Sequence, residues 1–157
     1  MRIAHCRLNG RSGHETGRDL LRQLYREETG QDLPEILTTD RGKPYFSDSS
    51  LYFSISHTPN HVFCVLSKHN VGIDAEEADR AINLKLAEKI LSPAEKRQFD
   101  AAADPRKVLL TFWVLKEAAA KLSGEGLRGY PNHTDFSLDD PRVTQIDGCL
   151  VAVLEGE

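Results

Sequence analysis

One segment of this 157-residue sequence limits how the chain can fold more than any other. Asp104-Pro105 indicates the start of a helix that continues to about Gly124, and the centre of this helix, from Leu109 to Leu115, is apolar on nearly every side. A helix that lies on a protein surface shows a single apolar stripe instead. We therefore expect this helix to be buried within the domain, with other elements packed around it.

The same helix carries charged residues after its apolar centre. Trp113, Glu117 and Lys121 follow one another at four-residue spacing, which places their side chains on one face. One interpretation is a surface ion pair between Glu117 and Lys121, which would stabilise the helix by only about 0.3–0.5 kcal/mol. The other is a functional pair, in which Glu117 is a metal-binding carboxylate and Lys121 a partner for a phosphate group. The pattern of the helix alone leaves both open.

The rest of the sequence predicts a mixed α+β chain. Alternating apolar residues and helical periodicity follow each other, separated by turns rich in Gly, Pro and Asn. The predicted strands cover 2–8, 51–55, 61–67, 70–75, 135–138 and 149–154, and the predicted helices cover 13–28, 82–91, a segment starting at the capping box Ser92-Pro93-Ala94-Glu95, and 104–124. Phe53-Ser54-Ile55 and Phe136-Ser137-Leu138 each precede another apolar run, a weak repeat that suggests two related halves.

Two carboxylates end one of the predicted strands. Asp74 and Glu76 are two residues apart in Val71-Gly72-Ile73-Asp74-Ala75-Glu76, so their side chains point to the same face. Two like charges held together are unfavourable unless a cation lies between them, and hard oxygen ligands suit Mg²⁺, which also accepts phosphate oxygens as ligands. The alternative is a strand that runs into a solvated acidic turn over residues 76–79.

Further candidate ligand contacts occur at a strand end and in a turn. Ser56 and His57 follow Phe53-Ser54-Ile55, and Lys43 lies in Arg41-Gly42-Lys43-Pro44, where its ammonium group suits a phosphate. A Ser–His nucleophile is poorly supported, because adjacent strand residues point to opposite faces and the sequence has no Gly-x-Ser-x-Gly elbow. A structural histidine and an ordinary solvated turn lysine are the alternative interpretations.

Composition argues against several classes of protein. A formal charge of −4 disfavours a general nucleic-acid binder, and no apolar run approaches the roughly 18 residues of a membrane span. The first residues lack the apolar core of a signal peptide. The three cysteines show no zinc-site spacing and lie in apolar runs, as expected for buried thiols in a reducing compartment. These features predict a cytoplasmic protein.

Five short motifs follow one another between residues 42 and 127. They are Gly42-Lys43-Pro44, Phe53-Ser54-Ile55-Ser56-His57-Thr58, Val71-Gly72-Ile73-Asp74-Ala75-Glu76, the helix from Trp113 to Lys121, and Gly124-Glu125-Gly126-Leu127. In this order and rough spacing they resemble the 4′-phosphopantetheinyl transferases of the surfactin-synthetase-activating type. The sequence departs from the family pattern at Ser54, where Asn is usual, and at Ala75, where a bulkier apolar residue is usual.

The resemblance implies a specific reaction. Enzymes of this family transfer the 4′-phosphopantetheine arm of coenzyme A to a serine of an apo acyl or peptidyl carrier protein and release 3′,5′-ADP, with Mg²⁺ as cofactor. The residues that match the family's metal ligands are Asp74, Glu76 and Glu117. The catalytic matches are Glu117, which takes the serine proton directly or through a metal-bound water, and Lys121, which neutralises the leaving phosphate. The matches to coenzyme A contacts are Lys43, Ser56 and His57, with His57 at the 3′-phosphate.

The resemblance also implies a fold and an assembly. The expected fold is α+β, a single domain over 1–157 whose two similar α/β halves, roughly 1–67 and 68–157, are related by a pseudo-two-fold axis with the active site at their junction. The expected protein is a monomer that binds an apo carrier protein and neither nucleic acid nor membrane. In larger members the N-terminal half adds basic coenzyme A contacts, for which Arg7, Arg11 and Arg18 are the candidates here.

Two other functions are compatible with part of this pattern. A coenzyme A- or carrier-protein-binding module that has lost catalysis would bind no Mg²⁺, and the complete set of Asp74, Glu76 and Glu117 argues against it. A Mg²⁺-dependent phosphohydrolase would use the same carboxylates on another phosphate ester, but it leaves Lys43 and the Ser56-His57 strand end without a clear role.

Overall fold

Two antiparallel three-stranded sheets form the framework of the computed structural model, which describes residues 1–127 and 134–157. The strands of the first sheet are β1 (Arg2–Arg7), β4 (Tyr52–His57) and β5 (His61–Ser67), those of the second are β6 (Val71–Glu77), β7 (Val143–Ile146) and β8 (Cys149–Glu155), and β2 (Ile36–Thr38) and β3 (Pro44–Phe46) form a separate hairpin. The order is β1-β5-β4 in the first sheet and β6-β8-β7 in the second, so the first strand of each sheet along the chain pairs with the last.

Each three-stranded sheet is covered by one long helix. The helices are α1 (Gly13–Thr29), α2 (Ala87–Ile90), α3 (Pro93–Ala101) and α4 (Pro105–Ser123), with a 3₁₀ turn (Leu84–Leu86) before α2. Helix α1 packs on β4 and β5, and α4 packs on β6 and β8. The predicted burial of α4 is confirmed, because the side chains of Leu109, Leu110, Phe112, Val114 and Leu115 have 0% exposed surface. None of the described helices is both long and apolar enough to cross a membrane.

The ends of both long helices follow from their sequences. Ser12 Oγ accepts a hydrogen bond from the Glu15 N–H at 3.2 Å and caps the start of α1, and Asp104 caps α4 by accepting from the Lys107 N–H at 3.2 Å. The residues after the two helices, Gly30 and Gly124, have φ values of 72° and 74° and end the helices in the left-handed conformation that glycine favours.

Glycines allow each long helix to lie directly against a strand. A Cβ atom on Gly72 of β6 would lie 2.1 Å from the Ala118 carbonyl oxygen of α4 and 2.5 Å from the Leu122 nitrogen. On the other sheet, a Cβ on Gly17 of α1 would lie 2.7 Å from Ile55 Cγ2 of β4. Both helices therefore approach their strands more closely than any other residue would permit.

Most predicted elements are confirmed, with ends that differ by at most two residues: the strands predicted at 2–8, 51–55, 61–67, 70–75 and 149–154 and the helices at 13–28 and 104–124. Helix α3 begins at the predicted capping box, in which the Ser92 hydroxyl and the Glu95 carboxylate each accept a backbone N–H. The mixed α+β class is therefore confirmed. Of the cysteines expected to be buried, Cys64 and Cys149 are buried and Cys6 is only half-buried.

The prediction of a strand at 135–138 is wrong. The Phe136 N–H donates to Glu95 Oε2 at 2.8 Å, and the Thr134 carbonyl accepts from Lys116 Nζ at 2.9 Å. Buried charged side chains thus satisfy these backbone groups, which in a strand would bond to a neighbouring strand. The helix predicted at 82–91 is also wrong in part, since Asn83 caps a 3₁₀ turn and only Ala87–Ile90 is α-helical.

Candidate active site

Two serines join the two sheets where β4 runs beside β6. Ser54 Oγ and Ser56 Oγ accept hydrogen bonds from the backbone N–H groups of Ile73 and Ala75, each at 3.1 Å. Both serines are buried. Because β4 and β6 belong to different sheets, side-chain hydroxyls here take the role that backbone carbonyls have within a sheet. These hydrogen bonds fix the position of β6 along β4, and with it the positions of Asp74 and Glu76.

Lys121 and Asp74 form an ion pair at the same junction. Lys121 Nζ lies 3.1 Å from Asp74 Oδ1 and also donates to the carbonyl oxygens of Ile55 and Ile73, at 3.3 and 2.9 Å. Asp74 Oδ1 accepts a further bond from Ser56 Oγ at 3.2 Å. Among the ion pairs of the described residues, Lys121 therefore pairs with Asp74 of β6 and not with Glu117 of its own helix.

The other oxygen of Asp74 is buried without a partner. Of the buried side-chain oxygen and nitrogen atoms in residues 1–127 and 134–157, only Asp74 Oδ2 makes no hydrogen bond. Burial raises the pKa of Asp74 to about 7, and Lys121 opposes this rise. The neighbouring carboxylates of Glu117 and Glu76 raise it further. Burial also raises the pKa of Glu117, against the effect of Lys121 and with a contribution from Glu76. Three carboxyl groups therefore share a region that an added cation would stabilise.

Glu76 is held by an arginine that no motif contained. Arg80 Nη1 lies 2.6 Å from Glu76 Oε1, and Trp113 Nε1 donates to the same oxygen at 3.3 Å. The Arg80 guanidinium also lies 5.9 Å from the centre of the Trp113 ring. Arg80 could not be found from the sequence, because it lies in a turn, where residue spacing does not determine which side chains meet.

The donor chemistry of this region fits a hard divalent cation, although the carboxylates are not assembled around one. An unpartnered, buried carboxylate oxygen such as Asp74 Oδ2 is a ligand type that Mg²⁺ prefers. In the part of the chain that the structure describes, no three His, Cys, Asp or Glu side chains are arranged to hold a metal ion. Lys121 and Arg80 contact Asp74 and Glu76 instead.

A cavity of about 530 Å³ opens beside this region. Its wall combines α4 with basic side chains from three other parts of the chain. The charged and basic residues in the wall are His14, Arg18, Arg41, Lys43, His57, Glu117 and Lys121. A cavity of this size with several cationic groups suits a ligand that carries more than one negative charge.

His57, the last residue of β4, packs its ring against the start of α1. Its ring is so close to the helix that a Cβ atom on Gly13 would lie 2.5 Å from His57 Cγ. The start of a helix carries a partial positive charge from its unpaired N–H groups. His57 and the first turn of α1 therefore form a corner of the cavity that favours an anion.

Not all of the residues singled out in the sequence reach the cavity. Ser56 is buried and is not among the described residues of the wall. Of the three arginines predicted as extra basic contacts, Arg18 lies in the wall. Arg7 pairs with Asp147 at 2.9 Å, and Arg11 donates to two backbone carbonyls. His14 and Arg41, which the sequence did not single out for this role, complete the basic side of the wall.

Lys116, the lysine next to Glu117, points to a different side of α4 and is buried. Its Nζ lies 2.8 Å from Glu95 Oε1, and the two side chains are 2% and 0% exposed. The same Glu95 carboxylate also closes the capping box of α3. This buried pair anchors α3 and the segment before β7 to α4 and so fixes the rotation of α4, which directs Glu117 and Lys121 to the cavity.

Replacing Asp74 by Asn should change how stability depends on pH. The pKa of Asp74 is raised from 3.8 to about 7 in the folded state, so its protonated form favours folding, and this contribution is lost as the pH rises through 7. Relative to Asp74→Asn, the native protein should lose free energy of unfolding between pH 4 and pH 8, by at most about 4 kcal/mol. Urea denaturation without divalent cations measures this, with Asp48→Asn at an exposed position as the control. A difference that is independent of pH would contradict the assignment.

Known proteins resemble this chain over much of its length. The sequence model of the 4′-phosphopantetheinyl transferase superfamily matches residues 70–150. The chain is 36% identical over 88 residues to 4′-phosphopantetheinyl transferase gsp of Aneurinibacillus migulanus, covering 55% of this chain and 36% of that protein. It is 29% identical over 121 residues to 4′-phosphopantetheinyl transferase HetI of Nostoc sp., covering 71% and 51%. It is 31% identical over 134 residues to 4′-phosphopantetheinyl transferase psf-1 of Bacillus pumilus, covering 82% and 57%.

The superfamily match includes the strand and the helix that build the site. Residues 70–150 contain β6, with Asp74 and Glu76, and α4, with Glu117 and Lys121. The chain spans about half the length of the curated relatives it matches, or less. The resemblance inferred from the motifs is confirmed, and the chain belongs to the 4′-phosphopantetheinyl transferase superfamily.

Proposed function

We propose that this protein transfers the 4′-phosphopantetheine arm of coenzyme A to a serine of an apo acyl or peptidyl carrier protein and releases 3′,5′-ADP. One observation carries the proposal: the neighbouring carboxylates of Glu117 and Glu76 add to the raised pKa of Asp74, and Glu117 lies in the wall of a cavity lined with basic side chains. Coenzyme A carries a 3′-phosphate and a pyrophosphate, so its charge matches the basic side of that wall.

The bond changes follow from the chemistry of the two substrates. The serine oxygen of the carrier attacks the phosphorus that bears the pantetheine arm, and the bond from that phosphorus to the leaving 3′,5′-ADP breaks. The serine proton passes to the Glu117 carboxylate, directly or through a water. Burial raises the pKa of Glu117 and makes it a stronger base, which fits this role. Lys121, adjacent in the wall, neutralises the charge that develops on the leaving phosphate.

We further propose that Mg²⁺ is the cofactor, with Asp74, Glu76 and Glu117 as its protein ligands. When bound, the ion supplies positive charge at the pyrophosphate of coenzyme A. The buried, unpartnered Asp74 Oδ2 supports this ligand set. Arg80 neutralises Glu76 and lies beside the Trp113 ring, a contact that it would keep if Glu76 were a ligand of the ion.

Of the three proposed coenzyme A residues, His57 is the direct phosphate contact. It is exposed to the cavity beside the start of α1, as a 3′-phosphate partner requires. Lys43 also contributes to the wall of the cavity. Ser56 contributes indirectly: its hydroxyl donates to Asp74 and accepts the Ala75 N–H, and these bonds hold β6 in place.

We propose a single domain over 1–157, whose two similar halves cover roughly 1–67 and 68–157 around a pseudo-two-fold axis. The identical strand order of the two sheets and the single long helix on each support this division. The active site then lies at the junction of β4 and β6, one strand from each half. We propose a cytoplasmic monomer whose partner is an apo carrier protein.

One observation favours a second function. Arg80 and Lys121 already neutralise two of the carboxylates, as they would in a module that binds coenzyme A or a carrier protein without catalysis. Release of 3′,5′-ADP separates the two functions. We expect release to require Mg²⁺, coenzyme A and an apo carrier together, and to cease with a carrier whose acceptor serine is replaced by alanine. Binding of coenzyme A without any release would support the module.

Replacing His57 by Ala should weaken coenzyme A binding more than catalysis. Loss of a contact to the 3′-phosphate should raise the KM for coenzyme A about tenfold and leave kcat nearly unchanged. The KM for 3′-dephospho-coenzyme A should be the same for both proteins, because this substrate lacks the group that His57 contacts. His69→Ala, at an exposed turn position, is the matched control. An equal loss for both substrates would refute the contact.

A further inference from the structure

The Lys43 ammonium group, which its turn position suggested as a mobile phosphate contact, is engaged inside the protein. Lys43 Nζ donates to Asn70 Oδ1 at 2.6 Å and to the Leu122 carbonyl oxygen at 2.7 Å. Asn70 Nδ2 donates to the same Leu122 carbonyl at 2.8 Å. This carbonyl belongs to the last turn of α4, where helix carbonyls lack helical partners and carry partial negative charge. The ammonium therefore has two strong acceptors before any ligand binds.

The surroundings of Lys43 favour this arrangement. The side chain is partly buried, and burial lowers its pKa, so its charge has already been moved out of water. It packs against Gly124, the glycine that ends α4: a Cβ there would lie 3.1 Å from Lys43 Cδ. A larger residue at 124 would press on the Lys43 side chain. The glycine after the helix thus leaves room for the lysine to reach the helix end.

The contact joins parts of the chain that are distant in sequence. Lys43 closes the turn between β2 and β3, in which the Thr39 N–H donates to the Lys43 carbonyl at 2.8 Å and the Gly42 N–H to the Thr39 carbonyl at 2.9 Å. Asn70 lies in the turn between β5 and β6, and its carbonyl accepts from the Gly156 N–H at 2.7 Å. The turn over residues 39–43 is thereby attached to the framework of the second sheet.

We propose that Lys43, Asn70 and the Leu122 carbonyl form a clamp that holds the 39–43 turn in the wall of the cavity. Lys43 and Asn70 are then positioning residues: they place Arg41, Gly42 and Pro44 against the ligand, and the Lys43 ammonium makes no phosphate contact. Asn70 is outside the described wall of the cavity, so any effect of Asn70 on ligand binding must pass through the clamp. The identity of the ligand rests on the proposed function, whereas the clamp itself does not.

Hydrogen–deuterium exchange of the ligand-free protein tests the clamp independently of any activity. Lys43→Met removes both hydrogen bonds of the ammonium group, and Asn70→Ala removes one of them. We expect each variant to accelerate exchange of the amides of residues 39, 42 and 43 by about tenfold or more. Asn70→Asp keeps an acceptor for Lys43 and should restore most of the protection. Glu125→Gln is the control, since it removes the exposed Arg41–Glu125 ion pair, which joins the same turn to the segment just after α4. Unchanged exchange in Lys43→Met would overturn the clamp, whether or not Asn70→Ala folds.

Titration calorimetry with coenzyme A and 3′-dephospho-coenzyme A tests the positioning role. We expect Lys43→Met and Asn70→Ala each to weaken the binding of both compounds by the same factor, about tenfold, and the double variant to bind no more weakly than either single one. A loss confined to coenzyme A, or additive losses in the double variant, would assign Lys43 to a phosphate and refute the positioning role. If the native protein binds neither compound, the proposed function fails, and the exchange result still decides the clamp.

Discussion

Replacing Glu117 by Gln should lower the kcat for phosphopantetheine transfer by about 10²–10⁴-fold, the usual contribution of a general base. Glutamine keeps the size of the side chain and its place on α4, but it accepts no proton and carries no charge for a cation. Glu117 lies on the partly exposed face of α4, and burial raises its pKa, so a neutral amide should not destabilise the fold. Thermal unfolding should therefore show a variant at least as stable as the native protein in the absence of Mg²⁺.

The measurement is single-turnover transfer at saturating coenzyme A and carrier, which isolates the chemical step. Glu125→Gln makes the same substitution at an exposed site just beyond the end of α4 and serves as the matched control. A Glu117→Gln variant that retains activity within a factor of about three would remove Glu117 from the chemistry, since even weak general-base catalysis contributes more.

Replacing Gly72 by Ala should cause a large loss of stability. The new Cβ would lie 2.1 Å from the Ala118 carbonyl oxygen and 2.5 Å from the Leu122 nitrogen, and both are backbone atoms that no side-chain rotation can move. Helix α4 must therefore shift away from β6. We expect the free energy of unfolding to fall by about 3 kcal/mol or more, with a decrease in Tm of about 6–12 °C.

The same shift should also impair function, because it moves Glu117 and Lys121 away from Asp74. Gly156→Ala is the control, since its Cβ would lie 3.5 Å from the Asn70 carbonyl oxygen, an ordinary contact. Differential scanning calorimetry of the two variants measures the effect. A Gly72→Ala protein with native Tm would show that α4 does not lie directly on β6.

The sequence predicted those parts of the fold that local periodicity and end signals determine. Helices α1 and α4 have apolar spacing, polar caps and terminal glycines that agree, and the strands rich in Val, Ile and Phe were equally clear. The segment 135–138 was predicted wrongly for a physical reason. Its apolar alternation resembles a strand, but the Phe136 N–H donates to Glu95 of α3, and the preceding carbonyl, that of Thr134, accepts from Lys116 of α4. Strand β7 was not predicted, because it contains Thr and Gln and no apolar run.

The candidate site was predicted to a different extent for its carboxylates and for its cations. Strand spacing placed Asp74 and Glu76 on one face, and the resemblance of the motifs to the family grouped Glu117 with them. The partners of the basic residues depend on tertiary contacts that spacing does not encode. Arg80 was missed for this reason, and the engagement of Lys43 with Asn70 was not predicted.

The most direct test of the central proposal is the mass of a carrier protein after incubation with this protein, Mg²⁺ and coenzyme A. Apo carriers from fatty-acid, polyketide and peptide synthesis form the panel, and a carrier whose acceptor serine is replaced by alanine is the control. We expect at least one apo carrier to gain the mass of one phosphopantetheine group, only when Mg²⁺ and coenzyme A are both present. Unchanged masses across the whole panel, with a folded protein that binds coenzyme A, would contradict the proposed transferase.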